Sequence, residues 1–188
     1  MSFTHNLLLS LKAILPLALV LNITSCTSIP EGVQPVEDFE LSRYLGTWYE
    51  VARLDHSFER GLDQVTAEYT VDEDGNVVVL NKGFDTEDKQ WSTAKGKAKF
   101  VNGSTIGHLK VSFFGPFYSS YVISHLQEAG NGKGMYQTAY VVGYDTDYVW
   151  LLSRTPTIDD REKQQFIEHV AKFGVNTDEL IWVNQQPR

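Results

Sequence analysis

The chain of 188 residues contains one cysteine, Cys26, so it cannot form a disulfide within itself. It has no dense run of Lys and Arg, and its formal net charge is −8. A phosphate-backbone partner needs a concentrated positive face, so nucleic acid is excluded as a partner. No Gly-x-Ser-x-Gly segment occurs, which removes the strained serine turn of one large hydrolase class. The five histidines, His5, His56, His108, His125 and His169, are scattered rather than spaced as metal ligands. No metal and no cofactor is therefore expected. What is abundant is apolar and aromatic: 42% hydrophobic residues and 12% Phe, Trp and Tyr, with charged residues at 21%. That composition suits a globular, β-rich domain with an apolar interior, and the length allows one domain with one sizeable core.

Only one long apolar stretch is present. Residues 7–23 carry a single charge, Lys12, and Ala13 to Leu21 run uninterrupted. This fits the apolar core of a signal peptide and is short for a membrane span, which needs about 20 residues. The following Ile23-Thr24-Ser25-Cys26 resembles the bacterial lipoprotein box. The resemblance implies cleavage before Cys26 and attachment of diacylglycerol to its thiol, with palmitate-type acyl chains. An ordinary cleaved signal peptide is the alternative. More than one acyl chain is needed for stable anchoring, and a diacylglyceryl group with an N-acyl group meets that need. Thr27, rather than Asp, follows the cysteine, which by the same resemblance implies the outer membrane, facing the periplasm. Residues 1–25 are thus read as leader, 26–38 as a lipidated tether with little to pack, and 39–188 as the folded domain. Lys12 lies in the leader, so fifteen bases and twenty-four acids remain, a mature charge of −9.

From Thr47 onward the chain reads as eight β segments separated by turn signals. These are Thr47–Leu54, Gln64–Val71, Val77–Lys82, Trp91–Val101, Gly107–Phe114, Tyr118–Gln127, Gln137–Tyr144 and Tyr148–Arg154. Asp74-Gly75, Asn102-Gly103, Gly115-Pro116, the loop Gly130-Asn131-Gly132-Lys133-Gly134 and Asp145-Thr146-Asp147 punctuate them. The expected fold is all-β: an eight-stranded antiparallel up-and-down β-barrel, which closes and leaves no exposed edge. One C-terminal α-helix should pack outside it, capped by Thr157 with Asp160 as the reciprocal acid. Its stripe is Ile158, Phe166, Ile167, Val170 and Phe173, and Gly174 ends it. Leu180–Val183 reads as a short last strand.

Side chains alternate between the faces of a strand, so each register divides wall from interior. Lys95, Lys97 and Lys99 must face water, which turns Gly96, Ala98 and Phe100 inward as small residues that leave space. The same logic turns Ala67 and Tyr69 inward. It turns Leu109, Val111 and Phe113 inward and His108, Lys110 and Ser112 outward. Tyr148, Trp150, Leu152 and Arg154 share a face. The interior is then apolar with few charges, as a pocket for an acyl chain would be. Alternation alone favours a filled core over a cavity, and periodicity does not measure the volume left over, so that reading stays open. The candidate ligand-binding residues are Ala67, Tyr69, Val79, Leu109, Val111, Phe113, Ile123, His125, Tyr140 and Trp150. His125 shares parity with Tyr121 and Ile123, and whether it touches ligand is open.

The segment Tyr44-Leu45-Gly46-Thr47-Trp48-Tyr49-Glu50-Val51-Ala52-Arg53 resembles the first lipocalin signature, Gly-x-Trp. With it come Phe58-Glu59-Arg60-Gly61-Leu62, Val111 through Tyr118, and Trp150 through Thr157. Together, from about Tyr44 to Pro187, they resemble the bacterial outer-membrane lipocalins. The resemblance implies that Gly46 and Trp48 mark the closed end of the barrel and that Arg154 packs across Trp48, a structural role. It implies a fatty acid or lysophospholipid as ligand and a role in membrane maintenance or stress. Lipocalin isomerases use a thiolate in the barrel, and no cysteine remains for one, so no enzyme is expected. A tetrapyrrole-binding barrel, or a filled structural lipoprotein, is the alternative. A homodimer is left open. The second family signature is not intact: its Tyr falls at Tyr136, after a longer glycine-rich loop.

Overall fold

A computed structural model describes residues 27–128 and 134–186. The lipid-attachment expectation at Cys26, and most of the Gly130–Gly134 loop, lie outside them. A short helix, α1 (Leu41–Tyr44), leads into eight strands. These are β1 (Gly46–Arg53), β2 (Leu62–Val71), β3 (Val77–Asp85), β4 (Gln90–Phe100), β5 (His108–Ser112), β6 (Ser119–Glu128), β7 (Tyr136–Val142) and β8 (Val149–Ser153). Each pairs antiparallel with the next, and β1 pairs with both β2 and β8. The sheet is thereby a closed barrel, and every strand edge within the ring is occupied. Helix α2 (Asp160–Ala171) follows, then β9 (Ile181–Trp182), which pairs with β1 at Ala52 and Arg53.

Two apolar clusters share the sheet. One fills the lower interior, around Tyr44, Trp48, Val77, Val79, Leu109, Ile123, Val141 and Leu152. The other lies on the outer face of β1 and β6–β8, where Phe166 and Val170 of α2 cover Val51, Val122, Val142, Val149 and Leu151. Phe166 and Val170 are fully buried, each contributing roughly 1.5–3 kcal/mol. The cap of α2 falls two residues later than the sequence suggests. Asp159, not Thr157, accepts the Glu162 amide at 2.8 Å.

Three further expectations are corrected. The segment after Cys26 is not a bare tether: Val33 is 2% exposed in the outer cluster, and the Val36 backbone bonds Ile123 O and Gly107 N. His108 and Ser112 do point outward, but neither is wet. His108 is 2% exposed, with Nε2 2.9 Å from Ser120 Oγ. Finally, the space above Gly96 is taken: a Cβ there would meet the Phe113 ring at 2.8 Å.

Candidate functional site

The closed end is built on Gly46 and Trp48. Gly46 opens β1 at φ +92°, a conformation that favours glycine, and so turns Trp48 into the barrel. Trp48 is completely buried and donates to Tyr44 O at 2.8 Å. Arg154 lies over its indole, 3.8 Å from the ring centroid. The same guanidinium donates to the carbonyls of Thr47, Arg43, Tyr44, Leu45 and Tyr136. A triad of hydroxyls stands near this floor: Tyr44 and Tyr69 each lie 2.7 Å from Tyr121 Oη. Burial pushes all three phenols above their ordinary range, so they are neutral hydrogen-bonding groups.

Above the floor the wall is apolar on one side. Ala67, Tyr69, Val79, Leu109 and Ile123 are buried inward residues, with Val111, Phe113 and Trp150 packed against them. Val111, Phe113, Tyr121, Leu126 and Trp150 point into a closed barrel yet keep part of their surface accessible. The inward-facing Ala94, in register with Asn81, is exposed. Inward groups can be accessible only if the lumen is incompletely filled and open at the end away from Trp48.

The other side of the lumen holds a charged cluster that alternation did not reveal. Glu50 and Arg53 are three apart, which in a regular strand would put them on opposite faces. Val51 is an extra residue against β8, between the pairs Glu50–Leu152 and Ala52–Leu151, and this bulge turns both inward. Arg53 Nη1 donates to Glu50 at 2.7 Å, and Nη2 donates to the carbonyls of Glu59 and Leu62. Glu59 comes from the loop after β1 and receives Trp150 Nε1 at 3.0 Å. Burial, and next the Glu59 charge, hold the Glu50 carboxyl well above the usual range. Burial also raises Glu59, while its bonds from Trp150 and Glu50 favour the ionised form. Burial thus pushes both carboxyls up, and the Arg53 charge beside them pulls both down. His56 Nε2 lies 3.1 Å from Glu59 Oε2. Burial, with Arg53 nearby, lowers its pKa to about 4, so at neutral pH this is a contact and not an ion pair. Arg53 Nε, both His56 ring nitrogens and Asn81 Oδ1 are buried and find no hydrogen-bond partner among the described residues.

Two predicted lining residues are elsewhere. In β6 the pairing shifts between Ile123 and His125, so Ser124 and His125 both face outward and Leu126 returns to the lumen. His125 stacks against Tyr140 and His169 of α2, with centroids 4.6 and 5.6 Å apart. Tyr140 packs under Phe166 in the outer cluster. Both line a polar recess of about 360 Å³ beneath α2, with Gln127, Gln165, Glu168 and Lys172, and neither reaches the lumen. Among the described residues no group of three His, Cys, Asp or Glu could hold a metal ion.

A barrel of eight antiparallel strands, sealed by a Trp–Arg pair at one end and flanked by one helix, defines the class. The lipocalin-like domain matches residues 39–185, and the chain belongs to the lipocalin family. It is 56% identical to the outer membrane lipoprotein Blc of Vibrio cholerae over 164 residues, 87% of this chain and 93% of that one. It is 44% identical to the Blc of Escherichia coli K12, covering 95% of this chain and 97% of that one. Among solved structures, the cockroach allergen Per a 4 shares the fold at TM-score 0.63 and 21% identity, over 87% of this chain and 96% of that one. Within its family the chain is thus a bacterial outer-membrane lipoprotein.

Proposed function

We propose that the barrel holds the tail of a single-chain lipid, a fatty acid or lysophospholipid, while Cys26 carries the anchor that keeps the domain at the outer membrane. The observation that carries this reading is the accessible surface of inward-facing apolar residues in a closed barrel. Val111, Phe113 and Leu126 would meet a hydrocarbon tail, each buried CH₂ contributing about 0.8 kcal/mol. The unpartnered Asn81 Oδ1 and Arg53 Nε give the polar end of a lipid groups to bond. The protein acts as a carrier or store and performs no reaction. Family membership supports the coarser part, an apolar ligand in the lumen.

The test is a titration of the purified mature protein with oleate and with oleoyl-lysophosphatidylcholine, followed by tryptophan fluorescence. Trp150 sits in the lumen, so occupancy should change emission saturably at one lipid per barrel. A titration without saturation for either lipid would favour the filled barrel. Saturation by haem alone would favour a tetrapyrrole.

A further inference from the structure

We propose that the lysine-bearing outer wall of β4, with Lys110 of β5, is a docking face for a bilayer surface bearing anionic phosphate headgroups, and that the chain lies on it beside its own lipid anchor. This rests on the anchoring of the chain at Cys26.

The two halves of the outer wall differ. The outer faces of β1 and β6–β8 are covered by α2 and by the segment through Val33. Among the described residues no helix lies over the outer face of β4, and on β5 the outward His108 and Ser112 are buried while Lys110 keeps part of its surface accessible. Charge is segregated in the same way. Although the mature chain is strongly acidic, no Asp or Glu occurs from Lys89 to Gln127, while five lysines do: Lys89, Lys95, Lys97, Lys99 and Lys110. Lys95, Lys97 and Lys99 share the outward face of β4 and are exposed, and Lys110 pairs with Lys99 across the strands. Like charges side by side repel, and among the described residues the acid that acts on them is Asp72 in the β2–β3 turn, whose carboxylate feels Lys97. The nearby acids stay on β2, as Glu68, or in the hairpin turns, as Asp72 to Asp74 and Asp85 to Asp88.

Aromatic residues interleave with these lysines. Lys82 lies 4.1 Å over the Trp91 ring, and Lys99 and Lys110 flank Tyr118 at 5.9 and 5.3 Å. Trp91 is 49% exposed, and Phe114 and Phe117 in the adjoining β5–β6 turn are each 80% exposed. Amphipathic rings beside flexible ammonium groups suit the boundary between headgroups and acyl chains.

The first described residue stands beside this wall. Thr27, next after Cys26, hydrogen-bonds through its backbone to His108, whose ring stands on the outer face of β5. Acyl chains on Cys26 would hold β4 and β5 against the membrane at a high effective concentration, so a weak patch suffices. The overall acidic charge turns the remaining faces away. A second copy of the chain fits this wall poorly, because a twofold contact would set its lysines against themselves.

The experiment uses the mature lipidated protein. Its intact mass is measured first; a chain without acyl groups would end the anchoring reading itself. The protein is then acetylated with an amine reagent, in detergent and on phosphatidylcholine vesicles containing phosphatidylglycerol, and each lysine is read by mass spectrometry. Lys95, Lys97, Lys99 and Lys110 should be protected severalfold on vesicles relative to Lys163 and Lys172, and high salt should remove the protection. Equal labelling on vesicles and in detergent, for a protein whose mass shows the anchor, would overturn the proposal. So would protection that follows protein concentration without vesicles, the sign of a second copy. A Lys95→Glu/Lys97→Glu/Lys99→Glu variant, its fold checked by a thermal melt, should lose the protection of Lys110. In the unlipidated Cys26→Ser chain the same triple change should lower vesicle partition on the order of 100-fold, since each lysine at an anionic surface contributes about 1 kcal/mol.

Discussion

The two ends of the lumen are built to opposite rules. At the closed end the indole of Trp48 bonds Tyr44 O and Arg154 caps five carbonyls, and among the described side chains there only Arg43 Nη2 is buried without a partner. Toward the open end, Arg53 Nε, Asn81 Oδ1 and the His56 ring are buried without one. A buried polar group left unbonded costs about 1–3 kcal/mol, so the closed end contributes stability and the open half gives some up. That is the pattern of a scaffold at one end and a receptive site at the other.

The largest effect should come from the closed end. Trp48→Ala should lower stability by about 3–5 kcal/mol in denaturant unfolding, as large-to-small changes in a filled core do. An unchanged midpoint would break the comparison at once. Arg154→Ala strips several carbonyls of their donor and should cost about 2–3 kcal/mol, with a further loss from the uncovered indole. Lipid affinity of the folded fraction should hardly move in either variant.

The open half should respond to pH. His56 has its folded pKa depressed to about 4, against an ordinary 6.5. The unfolded chain therefore binds the proton first, so this contribution to stability is full above pH 6.5 and is lost as pH falls toward 4. Glu50, raised by burial, works in the opposite sense, favouring the fold as pH falls. A His56→Phe variant keeps the stack on Phe58, where the rings are now 4.1 Å apart, and should lose less on acidification than the parent. Thermal melts across pH 4–7 check it, and identical slopes would remove His56 from the account. The smallest stability effect is expected at Asn81→Ala, which deletes an unbonded acceptor. It should be neutral or stabilising by about 1 kcal/mol or less, while weakening lysophospholipid binding.

Much of this barrel was legible in the sequence because period-two alternation survives wherever a strand pairs regularly. In β4 and β5 the lysines named the wet face, and Ala98, Leu109 and Val111 fell inside as read. Alternation failed where a residue was inserted into the ladder. The extra Val51 carried Arg53 into the lumen beside Glu50, and the shift at Ser124 carried His125 out of it, while Tyr140 faces outward by the unbroken alternation of Ala139, Tyr140 and Val141. Neither bulge has a local signature, since neither site contains Gly or Pro and each parity change is set by the partner strand. The burial of His108 and Ser112 was hidden for another reason: outward means wet only where nothing else is laid over the wall. Composition read the 27–38 segment as a spacer, yet Val33 and Val36 give it enough apolar contact to dock.

The central claim is that lipid occupies space left by side chains in the lumen. The most direct measurement counts lipid extracted with the purified wild-type protein and with a Val111→Trp variant, by mass spectrometry against known protein. An indole at this half-buried inward position fills the space without touching the closed end. The account predicts a single-chain lipid near one per barrel in the wild type and little in a variant that melts no lower. Equal lipid in both proteins would place the ligand elsewhere and contradict it.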